Sequence, residues 1–153
     1  MDDGSKPTTR QLVETLWTRL YEGDYDGVGE LFTDDGHYRD VPAPDEGATG
    51  PAAIAARLRL GLEPIDEHVH HLSRMIVEGD VAVTEHAEEW HWHTGESVTL
   101  PFVSVMEARD GHLIRWWDYW DLQTLLGSAP PWWIDHIMSG AIDIGLRDED
   151  QDD

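Results

Sequence analysis

The sequence of 153 residues contains no cysteine. That excludes disulfides, thiol nucleophiles and cysteine-based zinc sites together. Positive charge is also scarce. Ten basic residues, of which only Lys6 is a lysine, stand against 32 acidic ones, giving a formal net charge of −22. A surface of that sign repels nucleic acid and anionic membrane, so neither is expected as a partner. No apolar run approaches the roughly 20 residues of a membrane-spanning helix. Met1 to Arg10 has neither the basic segment nor the apolar stretch of a secretory signal, and the chain reads as cytoplasmic.

The chain does hold enough apolar residues, 40% of the total with eight tryptophans, for one domain spanning 1–153 around one core. Met1 to Lys6 and Asp148 to Asp153 are short acidic ends, expected to be frayed. Thr8 and Gln11 have capping-box spacing, and Leu12, Val13, Leu16, Trp17 and Leu20 form one apolar helical face. Gly23 ends that helix. Asp24 caps a short second helix, with Val28, Leu31 and Phe32 inward, and Thr33 to Gly36 reads as a turn. His37 to Val41 is a short strand, Pro42 to Gly50 a loop, and Pro51 the start of a third helix with Ile54 and Leu58 inside.

From His68 to Asp121 the period changes to two. Glu78-Gly79-Asp80, Thr94-Gly95-Glu96 and Arg109-Asp110-Gly111 mark hairpin turns. Three helices followed by an antiparallel meander predict an α+β layer architecture. Asp121 to Leu126 and Pro130 to Met138 read as short helices closing one end.

Alternation groups the side chains. On the last strand Ile114, Trp116, Asp118 and Trp120 share a face; Arg115, Trp117 and Tyr119 share the other, an aromatic row suited to a homodimer contact. An earlier strand groups Ala82, Thr84, His86, Glu88, Trp90 and Trp92, and another groups Leu100, Phe102, Ser104 and Met106. Pointed at one cavity, these place Asp118, Glu88 and His86 among apolar walls of Trp90, Trp116, Trp120, Leu100 and Phe102, with Trp17 and Leu20 from the first helix. A carboxylate among tryptophans needs a partner or a raised pKa, and both conditions suit acid–base chemistry. A one-residue slip would turn Glu88 to solvent instead. Asp118 could equally be a structural partner of His86. His68, His70, His71, His91 and His93 offer no clear tetrahedral ligand set, so no metal is expected.

Three segments carry a family resemblance. Thr84-Glu85-His86-Ala87-Glu88 resembles the Thr-Glu-Arg-x-Asp segment of limonene-epoxide hydrolases. Gly111 to Asp121 resembles their Gly-x-Ile-x-x-Trp-Arg-Asp-Tyr-Phe-Asp segment, and His37 to Pro42 their Tyr-x-Asn-x-Pro segment. The likeness runs from about Gln11 to Leu126 and includes SnoaL-like proteins. It implies an NTF2-like cone: a curved mixed or antiparallel sheet with the three N-terminal helices packed on its concave face around a deep apolar pocket. It also implies cofactor-independent hydrolysis of an apolar epoxide by direct water attack. Asp118 would be the base, Glu88 the acid and Tyr38 a water holder; Asp40 stands in place of the Asn and His86 in place of the bridging Arg. Asp40-Val41-Pro42 also resembles the base region of ketosteroid isomerases, which implies isomerisation, dehydration or cyclisation instead. A non-catalytic pocket binding an apolar ligand is the third alternative.

Overall fold

The computed structural model describes residues 5–143, with side chains to residue 141. The terminal residues expected to fray fall outside these, apart from Ser5 and Lys6. The first helix, α1 (Thr9–Tyr21), starts at the Thr8–Gln11 capping box, with both reciprocal bonds present. The second, α2 (Tyr25–Gly29), is capped by Asp24. Strand β1 (Phe32–Asp40) follows, then the two-residue β2 (Ala48–Thr49) and α3 (Pro51–Leu62). Strands β3 (Glu67–Glu78), β4 (Val81–His91), β5 (Ser97–Arg109) and β6 (His112–Trp120) form the meander. Helices α4 (Leu122–Leu126) and α5 (Pro131–Asp143) complete the described chain.

The six strands make one curved sheet in the order β2-β1-β6-β5-β4-β3, antiparallel except where β1 runs parallel to β6. That parallel pair is the decisive feature. It sets Asp40 directly opposite Asp118 and Tyr38 opposite Trp116. The tight Asp110-Gly111 link between β5 and β6 has both residues at positive φ, as a type I′ hairpin requires.

Four local expectations are corrected. Thr33 to Gly36 is not a free turn but part of β1, where it bulges between the pairings of Phe32 and His37. Phe32 therefore belongs to the strand rather than to α2. Ile114 does not share the inward face of Trp116 and Asp118. It is the extra residue of a β-bulge, opposite the step from Glu107 to Ala108, so Leu113 is fully buried instead. The closing helix α5 is also longer than Pro130 to Met138, running to Asp143.

One face of the sheet is covered. Helix α1 crosses the inner side of β3 to β6, and α3 lies over β1, with α2 packed against both helices. Val13, Leu16, Ile54 and Leu113 are completely buried in this layer. Truncating any of the two leucines or the isoleucine to Ala is expected to cost about 2–5 kcal/mol. A second apolar cluster joins Trp90, Trp92, Leu100, Leu125 and Trp133 at the end closed by α4 and α5. On the outer face Arg115 stacks on Trp117, 3.9 Å from the ring centroid, and Tyr119 is exposed. No described helix is long and apolar enough to cross a membrane.

Candidate active site

Between the two apolar clusters lies a cavity of about 450 Å³. Trp17, Leu20, Trp90, Leu100, Phe102, Trp116 and Trp120 all line it. The far wall comes from α5, whose Ile134, Ile137, Met138 and Ala141 recur at helical spacing. The polar groups gather where β1, β6 and α3 meet.

Asp118 sits there, buried, on β6. Its Oδ1 accepts from Ser104 Oγ at 2.5 Å and from Trp116 Nε1 at 2.6 Å. Oδ2 receives no donor from the described residues. Burial raises the carboxyl well above its ordinary 3.8, and the charges of Asp40 and Glu88 add to that. The donors from Ser104 and Trp116 work in the opposite direction and are outweighed. Burial and the two negative neighbours thus favour the protonated form of Asp118. With Oδ1 taken by two donors, a proton on this carboxyl belongs on Oδ2.

Asp40, across the parallel strand pair, has the opposite kind of surroundings. Arg57 Nη2 donates to Oδ2 at 3.1 Å, Trp120 Nε1 to Oδ1 at 3.0 Å, and the Tyr38 hydroxyl lies within 2.9–3.0 Å of both oxygens. A guanidinium and two further donors are suited to a carboxylate. Arg57 is anchored in turn by Asp45, which it contacts through both Nη atoms. Burial works against the Arg57 charge, but Asp40, Tyr38 and Asp45 reverse the effect and hold it firmly cationic. The Tyr38 phenol is pushed well up by burial and by both aspartates, so it stays a neutral donor.

Glu88 also faces the cavity and is buried. Its Oε1 accepts a short hydrogen bond from Tyr21, and its Oε2 accepts from Trp90 Nε1 at 2.8 Å, with His68 Nε2 3.2 Å away. Burial alone raises this carboxyl, but His68, Tyr21 and Trp90 more than offset it and leave it below its ordinary value. His86 has both ring nitrogens occupied, Nδ1 by His70 Nε2 at 2.6 Å and Nε2 by Thr84. Its ring stacks on Phe102, with centroids 4.3 Å apart. Burial and His70 push its pKa down to about 3. It therefore bridges neither Asp118 nor Glu88, the place expected for it, because no ring nitrogen is left to do so.

The remaining histidines expected to be free of metal are distributed singly. His71 bonds Glu89 at 2.6 Å, His91 lies 4.0 Å from the same residue, and His93 lies 3.8 Å from Asp66. Among the described residues no group of three or more His, Asp or Glu side chains is arranged to hold a metal ion.

Arg57 was not among the residues singled out from the sequence. Its signal was present: it falls three residues after Ile54 and beside Leu58, a cation next to the inward apolar stripe of α3.

A family model described as a SnoaL-like domain matches residues 10–116. The chain belongs to the SnoaL-like family. The matched span covers the helices and most of the sheet and stops two residues short of Asp118. Solved structures agree on the fold. A limonene-epoxide-hydrolase-like enzyme from M. tuberculosis shares 20% identity over 90% of this chain and 95% of its own, with a TM-score of 0.65. A SnoaL-like protein from Shewanella denitrificans, described as a putative polyketide cyclase, shares 19% identity over 78% and 95%, with a TM-score of 0.70. A protein of ketosteroid isomerase-like fold from Catenulispora acidiphila, in complex with trimethylamine, shares 20% identity over 81% and 93%, with a TM-score of 0.67. At these identities the likeness establishes the fold: the SnoaL-like chain is an NTF2-like α+β cone. No curated protein matches it significantly in sequence.

Proposed function

We propose that this SnoaL-like protein is an acid–base enzyme acting on an oxygen function of an apolar cyclic substrate, and that it opens an epoxide by direct attack of water. One observation carries the reading. Asp40 and Asp118 lie side by side at the floor of an apolar cavity, one paired with a guanidinium and the other with its pKa raised by burial and negative neighbours. Environments that push two carboxyls apart assign acid and base.

In this reading Asp118 donates its Oδ2 proton to the epoxide oxygen as the ring C–O bond breaks. Asp40 takes a proton from the water whose oxygen forms the new C–O bond. The product is a diol, and return of the proton from Asp40 to Asp118 restores the site. Arg57, Tyr38 and Trp120 orient Asp40, while Ser104 and Trp116 orient Asp118. The resemblance implies Asp118 as base and Glu88 as acid; here Asp118 becomes the acid, Asp40 the base, and Glu88 is left as a structural carboxylate.

The same pair favours a second reading. A base beside a protonated carboxyl is also the equipment for removing a proton next to a carbonyl while hydrogen-bonding its oxygen. Asp40 would then be the base of an isomerase, dehydratase or cyclase.

Incubation with a panel of apolar cyclic epoxides in ¹⁸O-labelled water tests the first reading. The expected product is a diol carrying one labelled oxygen. Absence of diol from every epoxide, with deuterium exchange into cyclic ketones in D₂O, would replace it by the second. Tight binding without turnover of either set would leave only a ligand carrier.

A further inference from the structure

The cavity's charge differs from that of an ordinary apolar pocket. Among the described residues, four carboxyl side chains line it, Asp40, Asp45, Glu88 and Asp118, against one cation, Arg57, and no lysine or histidine contributes. Even with Asp118 neutral, three acidic side chains remain against one guanidinium.

That guanidinium is not available to a ligand. Its Nη1 is held by Asp45, its Nη2 by Asp40 at 3.1 Å and Asp45 at 3.2 Å, and its Nε is buried without a partner. The donors on Glu88 are equally engaged, Tyr21 on one oxygen and the Trp90 indole on the other, and the buried His68 Nε2 lies 3.2 Å from the second. The rest of the wall is tryptophan, phenylalanine and aliphatic side chains, where little solvent screens a charge. A carboxylate or phosphate entering this space would meet excess negative charge and, among the described residues, no free cation. The chain as a whole, at −22, adds to the same repulsion.

We infer that the cavity selects its substrate by charge: it takes a free hydrophobe that is neutral or cationic, and rejects anionic molecules of the same shape. Carboxylic acids, phosphate and pyrophosphate esters, phosphate-bearing thioesters and substrates tethered to acidic carrier domains are thereby excluded. The reaction that supplies the substrate must therefore release it untethered and without negative charge, as oxygen insertion into an apolar alkene does. This inference rests on the reading that the cavity holds the substrate, and it adds the class of molecule admitted.

Isothermal titration of the full chain at neutral pH with three probes on one cage skeleton tests it: adamantane-methanol, adamantane-methylamine and adamantane-carboxylate. The alcohol and the amine are expected to bind, and the carboxylate about ten- to a hundredfold more weakly. Asp45→Asn should narrow the gap between alcohol and carboxylate, with circular dichroism confirming that the variant is folded. A carboxylate that binds as tightly as the alcohol would overturn the charge selection while leaving the acid–base reading intact. Failure of all three to bind would overturn the cavity as a hydrophobe site, on which both rest. Because binding is read without turnover, a wrong reaction assignment cannot mimic either result.

Discussion

Asp118 on β6 and Glu88 on β4 are two carboxyls of the same cavity, equally buried, and they are driven in opposite directions. Asp118 has two donors on a single oxygen, both neutral, and two negative neighbours. Glu88 has a donor on each oxygen, Tyr21 and the Trp90 indole, and an imidazole nitrogen 3.2 Å away. Burial is common to both and raises both. The difference lies in how many donors remain and what charge stands nearby. A carboxyl with an oxygen open to the cavity and a proton on it can give that proton to a substrate. Glu88, its pKa lowered by its neighbours, has no such proton to give and holds Tyr21 and Trp90 in place instead.

Substitutions can separate the two regions. The largest effect is expected from Asp118→Asn, which keeps the shape and the two acceptor bonds but removes the transferable proton. Steady-state kcat/KM on the active substrate should fall about 10²–10⁴-fold. Next comes Arg57→Gln, which leaves the half-buried Asp40 and Asp45 together without their cation. Removing one partner of a buried pair costs about 3–5 kcal/mol, and thermal unfolding should show it as a lowered Tm. Glu88→Leu should cost less, about 1–3 kcal/mol, by orphaning the Tyr21 hydroxyl and the Trp90 indole N–H. It should lower Tm more than it lowers kcat, the reverse of Asp118→Asn.

The pH dependence sharpens the same contrast. A raised carboxyl pKa means that the folded state holds a proton the unfolded chain has lost, so Asp118 lowers stability as pH rises above its ordinary 3.8. Asp118→Asn should therefore gain Tm relative to the parent at pH 8, and the gain should shrink toward pH 4. His70 and His86 act at the acid end. Their values fall from 6.5 to about 4 and about 3, so the unfolded chain binds protons that the fold excludes. Stability should be lost as pH drops below 6.5 through those values, and His86→Gln should flatten that limb in acid titrations followed by circular dichroism. This is the smallest of the expected effects.

Much of the fold was legible because it depends on period and punctuation. The capping box at Thr8, the apolar stripe of α1 and the hairpin turns at Gly79, Gly95 and Gly111 are local signals, and each is where the chain bends or starts. Alternation was enough to collect the cavity wall, from Trp17 to Trp120. It failed at Ile114, where one bulged residue breaks the count and brings Leu113 inward. The site was harder to read because its contacts are long-range. The parallel pairing of β1 with β6, which sets Asp40 beside Asp118, joins segments about 80 residues apart with no local mark of their register. The family pattern pointed to His86 as the group between two carboxyls. The cation came from α3 instead, and a histidine stacked on Phe102 with both nitrogens bonded cannot replace it. Arg57 could be noticed only as a charge on an apolar helical face, and its partners only in three dimensions.

The proposed acid–base chemistry requires that Asp118 carry a proton at neutral pH while Glu88 does not. Difference infrared spectroscopy at pH 7, subtracting Asp118→Asn from the parent protein, tests it most directly. The expected difference is the C=O band of a protonated carboxyl, with Glu88→Gln removing carboxylate bands in the parallel subtraction. Carboxylate bands lost with Asp118, and a protonated band lost with Glu88, would contradict it.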